Sequence, residues 1–174
     1  MLGWRVTKYN PNSRDETGKY INNEWTSFGD IGKSFNSIEF TIDDYKLVED
    51  AYVNAVLLFM SIHNISTMNI IGLEKHSDTL EIKQFQDVYP TEITDFYSKL
   101  KRCDVLGLKE IELLCKLVLR EHLWCKLDYC GTMFVHFGYD FYMYIGGLIK
   151  SDSAIESIIK SGLFVESFES PYND

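Results

Sequence analysis

The sequence has little basic charge, few prolines and no long apolar run. Its 17 lysines and arginines face 26 aspartates and glutamates, giving a net charge of −9. Proteins that bind nucleic acid directly need clustered lysine and arginine to neutralise phosphates, so this class is excluded. A basic macromolecular partner is favoured instead.

Segments for export or membrane insertion are also missing. The longest apolar stretch, Ala55 to Met60, is interrupted by His63 and Asn64, well short of the roughly 18 residues that a membrane span needs. The first residues lack a charged leader followed by an apolar stretch, so no secretory signal is indicated. We expect a cytoplasmic protein without a membrane partner.

Cysteine is scarce and irregularly spaced. The four cysteines are Cys103, Cys115, Cys125 and Cys130, and none forms a C-x-x-C pair. In a cytoplasmic chain they are expected to be reduced thiols, with Cys115 packed as a small hydrophobe. No metal site and no cofactor are expected.

The remaining composition is that of a folded domain. Hydrophobic residues make up 45% and aromatic residues 14% of the 174 residues, which is enough to build one sizeable core. The three prolines are scattered, and no linker divides the chain. We predict a single domain covering residues 1–174.

Helical periodicity and capping residues predict four helices. The clearest, at 42–63, follows Thr41 as N-cap, has Asp43 and Asp44 in its first turn, and repeats apolar residues at three- and four-residue steps. A short helix is predicted from Pro90 to Leu100 and a second long one at 108–124. A last short helix is expected after Ser151 or Asp152 and ends at Gly162.

Strands are predicted between these helices, at 4–9, 68–73, 79–85 and 163–168. The aromatic stretches 133–137 and 141–145 flank Gly138-Tyr139-Asp140, as in a β-hairpin. The irregular stretch after Asn10 is expected to be anchored by aromatic residues such as Trp25. The fold class is therefore α+β: a single domain with a mixed or antiparallel sheet packed against two long and two short helices.

Two motifs suggest catalysis or nucleotide binding only superficially. Gly32-Lys33-Ser34 resembles the end of a phosphate-binding loop, but Ser27 stands where the pattern needs glycine and no long helix follows. Glu121-His122 lacks the second histidine of a zinc-protease motif. We interpret the first as a turn and the second as solvent-exposed polarity.

His136 lies near Cys130, Asp128 and Asp140 in the sequence, so a Cys-His-Asp nucleophilic site is conceivable. Strand alternation more simply places His136 on the face opposite Phe137, where it would be hydrogen-bonded or exposed. No catalytic residue is assigned.

Two groups of residues are candidates for partner binding. Asp43, Asp44, Glu49 and Asp50 cluster at the start of the first helix, where they form either an ordinary solvated helix face or an acidic patch for a basic partner. The second group belongs to the aromatic hairpin and consists of Asp140, Tyr142 and Tyr144.

Short motifs near both ends of the chain form a distinctive set. They are Trp4-Arg5-Val6-Thr7-Lys8-Tyr9-Asn10-Pro11, Arg14-Asp15, Gly18, Tyr20, Glu24-Trp25-Thr26-Ser27, Asp30-Ile31-Gly32 and the hairpin His136 to Tyr144. The set resembles the immunity proteins of bacterial polymorphic toxin systems, including contact-dependent growth inhibition. This resemblance implies a cytoplasmic, non-enzymatic protein that binds one cognate toxin domain, often a nuclease with a basic active site, and occludes it.

An alternative of another class stays open. The aromatic hairpin and His136 could line the pocket of a small-molecule-sensing or hydrolytic domain. A tight complex with a basic toxin would favour the first reading, and a concave pocket with clustered titratable groups would favour the second.

Overall fold

The computed structural model describes residues 1–172, which form four α-helices and nine strands. The helices are α1 (Ile42–Ile62), α2 (Thr91–Lys99), α3 (Leu108–Leu119) and α4 (Asp152–Lys160). The strands are β1 (Leu2–Thr7), β2 (Ser34–Phe35), β3 (Ile38–Glu39), β4 (Thr67–Lys75), β5 (Val105–Gly107), β6 (Leu123–Tyr129), β7 (Met133–Phe137), β8 (Tyr142–Gly147) and β9 (Phe164–Ser167).

Seven of the strands form one sheet in the order β5-β4-β6-β7-β8-β1-β9. Every neighbouring pair is antiparallel. β6, β7 and β8 follow one another as hairpins, whereas β1 lies between β8 and β9 from the other end of the chain. β2 and β3 pair separately. The predicted α+β fold is confirmed, with the antiparallel form of the sheet.

The two faces of the sheet differ in what covers them. Trp4 and Val6 of β1 and Val135 of β7 are buried on one face, where Trp4 packs edge-on against Phe59 of α1 with 5.5 Å between ring centroids. Neighbouring residues along each strand point the opposite way, which places Arg5 on the outer face. The main core therefore lies between the inner face and the helices.

α1 forms as its sequence predicts. The Thr41 hydroxyl accepts a hydrogen bond from the Asp44 backbone N–H at 3.2 Å, and the Asp44 carboxylate accepts one from the Thr41 N–H at 3.0 Å. This reciprocal capping box satisfies two backbone donors that a helix start leaves unpaired.

Gly147, at the end of β8, is required by the packing of His63 at the C-terminus of α1. A Cβ atom on Gly147 would lie 2.1 Å from His63 Nε2. His63 Nδ1 is 2.8 Å from the Phe59 carbonyl oxygen, and Nε2 accepts a hydrogen bond from the Ile149 N–H at 3.1 Å. The imidazole thus connects α1 to the chain just after β8, and a side chain at position 147 would displace it.

The chain between α3 and β7 differs from the prediction. α3 ends at Leu119 instead of continuing to Trp124, and residues 123–129 form β6, which the sequence analysis missed. The strand expected at 79–85 is also wrong, because this stretch is irregular between β4 and α2. The apolar residues of β6 alternate between buried and less buried positions, but the helical pattern of α3 runs into them without a glycine or proline.

The last described residues cross the outer face of the sheet. Phe168 lies 4.3 Å from the Arg5 guanidinium carbon, and the Ser170 hydroxyl is 2.8 Å from His136 Nδ1. Tyr172 packs against Trp124 with 5.9 Å between ring centroids. This segment covers aromatic and polar side chains that the antiparallel sheet would otherwise expose to solvent.

The cysteines occupy two environments. Cys115 and Cys125 are buried between α3 and the sheet, whereas Cys103 and Cys130 are exposed, and all four are free. Burial raises the pKa of Cys115 to about 12, so its thiol stays protonated and unreactive at neutral pH.

None of the helices within residues 1–172 combines the length and apolarity needed to cross a bilayer.

Residues 8–40 contain the small β2–β3 sheet and are otherwise without long helices or strands, and aromatic rings anchor them, as predicted. Trp25 stacks on Phe40 with 4.3 Å between ring centroids and meets the edge of Phe141 at 4.9 Å. Lys8 Nζ lies 4.1 Å from the Trp25 ring centroid. Trp25 therefore ties the irregular segment to the tip of the β7–β8 hairpin.

We predict that Trp25→Ala lowers the free energy of unfolding by about 3 kcal/mol, at the lower end of the cost of truncating a core aromatic residue because the ring is only partly buried. Urea unfolding followed by fluorescence and circular dichroism measures it. The control is Tyr139→Ala, whose side chain is 79% exposed and should cost less than about 0.5 kcal/mol. Equal stability of both variants would contradict the anchoring role.

Candidate functional site

The tip of the β7–β8 hairpin is a strained turn held by its surroundings. Asp140 and Phe141 have φ angles of 52° and 59°, in the left-handed region that is costly for residues with a side chain. The Tyr142 N–H donates to the Tyr139 carbonyl at 3.0 Å. The Phe141 ring is buried against Trp25, and the Tyr52 hydroxyl donates to the Phe141 carbonyl. Burial of this ring offsets the backbone strain.

A pocket of about 340 Å³ opens beside this turn. Its carboxylate and imidazole side chains are those of Glu121, Asp140 and His76. The other lining residues are mostly aromatic or aliphatic and come from α1, α3, the strands β6 to β8 and the hairpin turn: Tyr52, Val118, Leu119, Leu123, Trp124, Phe137, Gly138, Tyr139, Phe141, Tyr142 and Met143. An apolar cavity with a few polar groups at one side is the usual form of a binding site.

Glu121 reaches this pocket because it ends α3 in an unusual way. Its N–H donates to the Val118 carbonyl at 2.9 Å, and the His122 N–H donates to the Leu117 carbonyl at 3.0 Å. These bonds form a Schellman motif, whose left-handed position is usually glycine. Here Glu121 occupies it, with a φ of 61°.

The Glu121 carboxylate lies in an acidic environment. The Ser27 hydroxyl donates to Oε2 at 2.9 Å. The pKa of Glu121 is raised, and the largest cause is partial burial, which disfavours the charged form of the carboxylate. The nearby carboxylates of Asp30 and Asp140 also raise it. His76 acts in the opposite direction. The pocket thus contains a carboxylate whose negative charge is poorly compensated.

The residue before Glu121 belongs to a buried ion pair. Arg120 Nε and Nη2 donate to the two carboxylate oxygens of Glu49, each at 2.7 Å. Arg120 Nη1 donates to the Val88 carbonyl at 2.7 Å, and the guanidinium carbon is 4.8 Å from the Tyr89 ring centroid. This arrangement fixes the end of α3 relative to α1.

The acidic patch expected from the sequence does not include Glu49. It is 1% exposed, and its carboxylate is fully engaged by Arg120, so it cannot meet a partner on the surface. Asp43, Asp44 and Asp50 are exposed on α1, although the Asp44 carboxylate is used by the capping box. The structure thus leaves three of the four acidic residues on the surface.

The hairpin residues are also distributed differently from the expectation. Tyr144 is only 9% exposed, because Phe168 and Tyr172 of the C-terminal segment pack against its ring. Tyr142 is partly buried and its ring lies 5.4 Å from that of Tyr9. Of the predicted hairpin residues only Asp140 is exposed, and Tyr144 cannot be a surface contact while the segment covers it.

His136 lies on the opposite face of the sheet from Phe137, as strand alternation predicts. It is buried and pairs with Ser170, whereas the hairpin pocket is lined by Phe137. His136 instead lines a second cavity, on the outer face of the sheet, together with Phe134, Ser170 and Tyr172. In the hairpin pocket the polar side chains are those of Glu121, Asp140 and His76, and the sequence offered no signal for Glu121 or His76 beyond polarity.

Within residues 1–172, no three histidine, cysteine, aspartate or glutamate side chains are grouped to hold a metal ion. No protein-family model matches the chain, and neither the curated proteins nor the solved structures compared with it show a significant similarity.

We predict that Glu49→Ala lowers the free energy of unfolding by about 3–5 kcal/mol, because it leaves the Arg120 guanidinium buried without a counter-charge. Asp50→Ala, the exposed neighbour, is the matched control and should change it by less than about 0.5 kcal/mol. The double variant Glu49→Leu/Arg120→Met should recover most of the loss. Chemical denaturation of the three variants tests this, and equal stability of the two single variants would disprove it.

His122 should make stability depend on pH. Burial, followed by the charges of Arg120 and His76, lowers its pKa from 6.5 to about 4, and its Nε2 lies 2.7 Å from the Tyr89 hydroxyl. Between pH 4 and pH 6.5 the imidazole binds a proton in the unfolded chain but not in the folded chain. Stability is therefore complete above pH 6.5 and falls as the pH drops towards 4.

The variant His122→Gln isolates this contribution. Its stability, measured by urea unfolding at intervals from pH 7.5 to 4.5, should fall less steeply than that of the wild type, by about 1–2 kcal/mol over the window after allowance for solvent screening. Parallel curves would show that the imidazole is protonated equally in both states.

Proposed function

We propose that this chain is an immunity protein that acts in the bacterial cytoplasm by binding a cognate toxin domain and covering its active site. The observation that carries the proposal is the position of the charge. Two pairs, Lys8–Glu24 and Arg120–Glu49, cancel beneath the surface, with the cation at most 4% exposed in each. These pairs contribute no net charge, so the net charge of −9 comes from the residues outside them.

α1 presents part of this charge in a form suited to an interface. Asp43, Leu47 and Asp50 are spaced at i, i+4 and i+7, so they share one stripe of the helix. Leu47 is 72% exposed, and both carboxylates are exposed beside it. An apolar side chain between charged ones resembles the core and rim of a protein interface.

The partner favoured by this surface is basic. The positive charge of a nuclease active site attracts phosphates, and it attracts carboxylates in the same way. Charge complementarity contributes specificity and a fast encounter, both of which a neutralising protein needs. The motif set Trp4 to Pro11 and the hairpin resemblance support the same class, in which the protein itself is not an enzyme.

Co-expression with the toxin domain encoded by the neighbouring gene tests the proposal. The chain should protect cells from that domain and bind it with 1:1 stoichiometry in calorimetry. A toxin that stays fully active in the presence of excess chain would refute the proposal.

The acidic stripe gives a sharper kinetic prediction. The double variant Asp43→Lys/Asp50→Lys should slow association with the toxin domain about tenfold or more at low salt and flatten its salt dependence, with a smaller effect on dissociation. Stopped-flow fluorescence across ionic strengths measures it. Glu16→Lys/Glu74→Lys changes the net charge equally at other exposed positions and is the control. Identical association by both variants would exclude the α1 stripe.

The hairpin pocket supports a second candidate function. A small-molecule-sensing or hydrolytic domain would use a cavity of this kind, and Glu121, Asp140 and His76 are titratable groups within it. Thermal stabilisation by a metabolite at micromolar concentration, lost on removing the pocket's carboxylate charges with Glu121→Gln/Asp140→Asn, would favour this alternative.

A further inference from the structure

We propose that the hairpin pocket is a socket for one arginine side chain of the protein partner, whose guanidinium pairs with Glu121. This inference rests on the proposed function only in taking the occupant from a protein with a basic surface. The pocket is otherwise defined by its own geometry, charge and shape.

The charge of the pocket selects a cation. Glu121 and Asp140 line it, and no lysine or arginine of residues 1–172 is among its lining residues. Asp30 lies outside the pocket but within electrostatic range of Glu121, and its own carboxylate pairs with Lys33 at 2.7 Å. Within the described residues, Ser27 donates to Oε2 of Glu121, and no side chain donates to Oε1. An incoming donor would therefore meet an available acceptor.

The walls favour a planar, weakly hydrated cation. Trp124, Phe137 and Tyr139 line the pocket beside the carboxylates, and guanidinium groups pack well on aromatic faces while donating two parallel hydrogen bonds to a carboxylate. The volume of about 340 Å³ lies at the small end of the range for ligand pockets, about 300–1,000 Å³. It suits a single inserted side chain, and arginine is a frequent anchor of protein interfaces.

Helix termination does not account for the glutamate at position 121. Glycine would occupy the left-handed end of α3 with less strain. Burial, and after it the charges of Asp30 and Asp140, raise the pKa of Glu121, so the charged carboxylate is an additional cost to the free protein. A bound guanidinium would relieve that cost, and the positions of Arg120 and Phe141 hold the site in place before the partner arrives.

A titration followed by ¹H–¹⁵N NMR tests the socket without the toxin. The probe is Nα-acetyl-arginine N-methylamide, and the matched neutral probe is the corresponding citrulline derivative. The arginine probe should shift the backbone resonances of Glu121 and Asp140 and the indole resonance of Trp124, whose Nε1–H donates to the Phe137 carbonyl at 2.6 Å. Saturation is expected at millimolar concentrations. Equal shifts with citrulline would overturn the assignment to a cation.

Three variants separate binding from folding. Glu121→Gln should weaken binding of the arginine probe at least fivefold, and Glu121→Gly should abolish it while leaving the melting temperature equal or higher. Glu16→Gln removes an exposed carboxylate that lies outside the pocket and should bind as the wild type does. Unchanged binding by both Glu121 variants would overturn the proposal.

Two further probes identify the source of the cation. The lysine derivative should bind more weakly than the arginine derivative, and equal binding would overturn the guanidinium assignment. Agmatine, a free guanidinium compound, should bind no more tightly than the blocked arginine, and much tighter binding would assign the pocket to a small molecule instead. A positive titration combined with failed toxin protection would refute the proposed function and leave the socket standing.

Discussion

The guanidinium of Arg120 is the constraint on which the rest of the structure depends. A buried cation must be paired, and the geometry that pairs it is demanding: two bonds to Glu49 in α1 and one to the Val88 carbonyl before α2. Arg120, Glu49 and Val88 lie in three separate parts of the chain. Pairing Arg120 therefore fixes the positions of α1, α3 and the loop before α2 relative to one another. Such a pair adds little net stability but strongly penalises arrangements that break it.

The candidate site is a direct consequence of this pairing. Arg120 fixes the last turn of α3, and the next residue, Glu121, must then adopt the left-handed conformation that turns the chain into β6. At the same pocket, the buried ring of Phe141 fixes the hairpin turn that carries Asp140. Two strained positions therefore place their carboxylates towards one cavity, each held by a buried neighbour in the sequence.

The sequence predicted the elements whose signals are local. α1 carries its own capping box and apolar period, and the β7–β8 hairpin has aromatic strands around a turn, so both were placed within about two residues. It did not predict the end of α3, because Glu121 stands where glycine normally marks a stop and the apolar residues of β6 continue the helical pattern. Nor could it show that Glu49 is buried, since its partner lies 71 residues further along the chain. Long-range pairing, not local preference, determines the site.

The position of β1 has a consequence for how the fold is completed during synthesis. Its backbone hydrogen bonds go to β8 and β9, so residues 2–7 leave the ribosome more than a hundred residues before either neighbour exists. Trp4 and Val6 reach their buried places only when the two late strands close around them. Within this sheet β1 is synthesised first and is among the last strands to be paired, so an apolar strand stays unpaired in the nascent chain until β8 and β9 emerge.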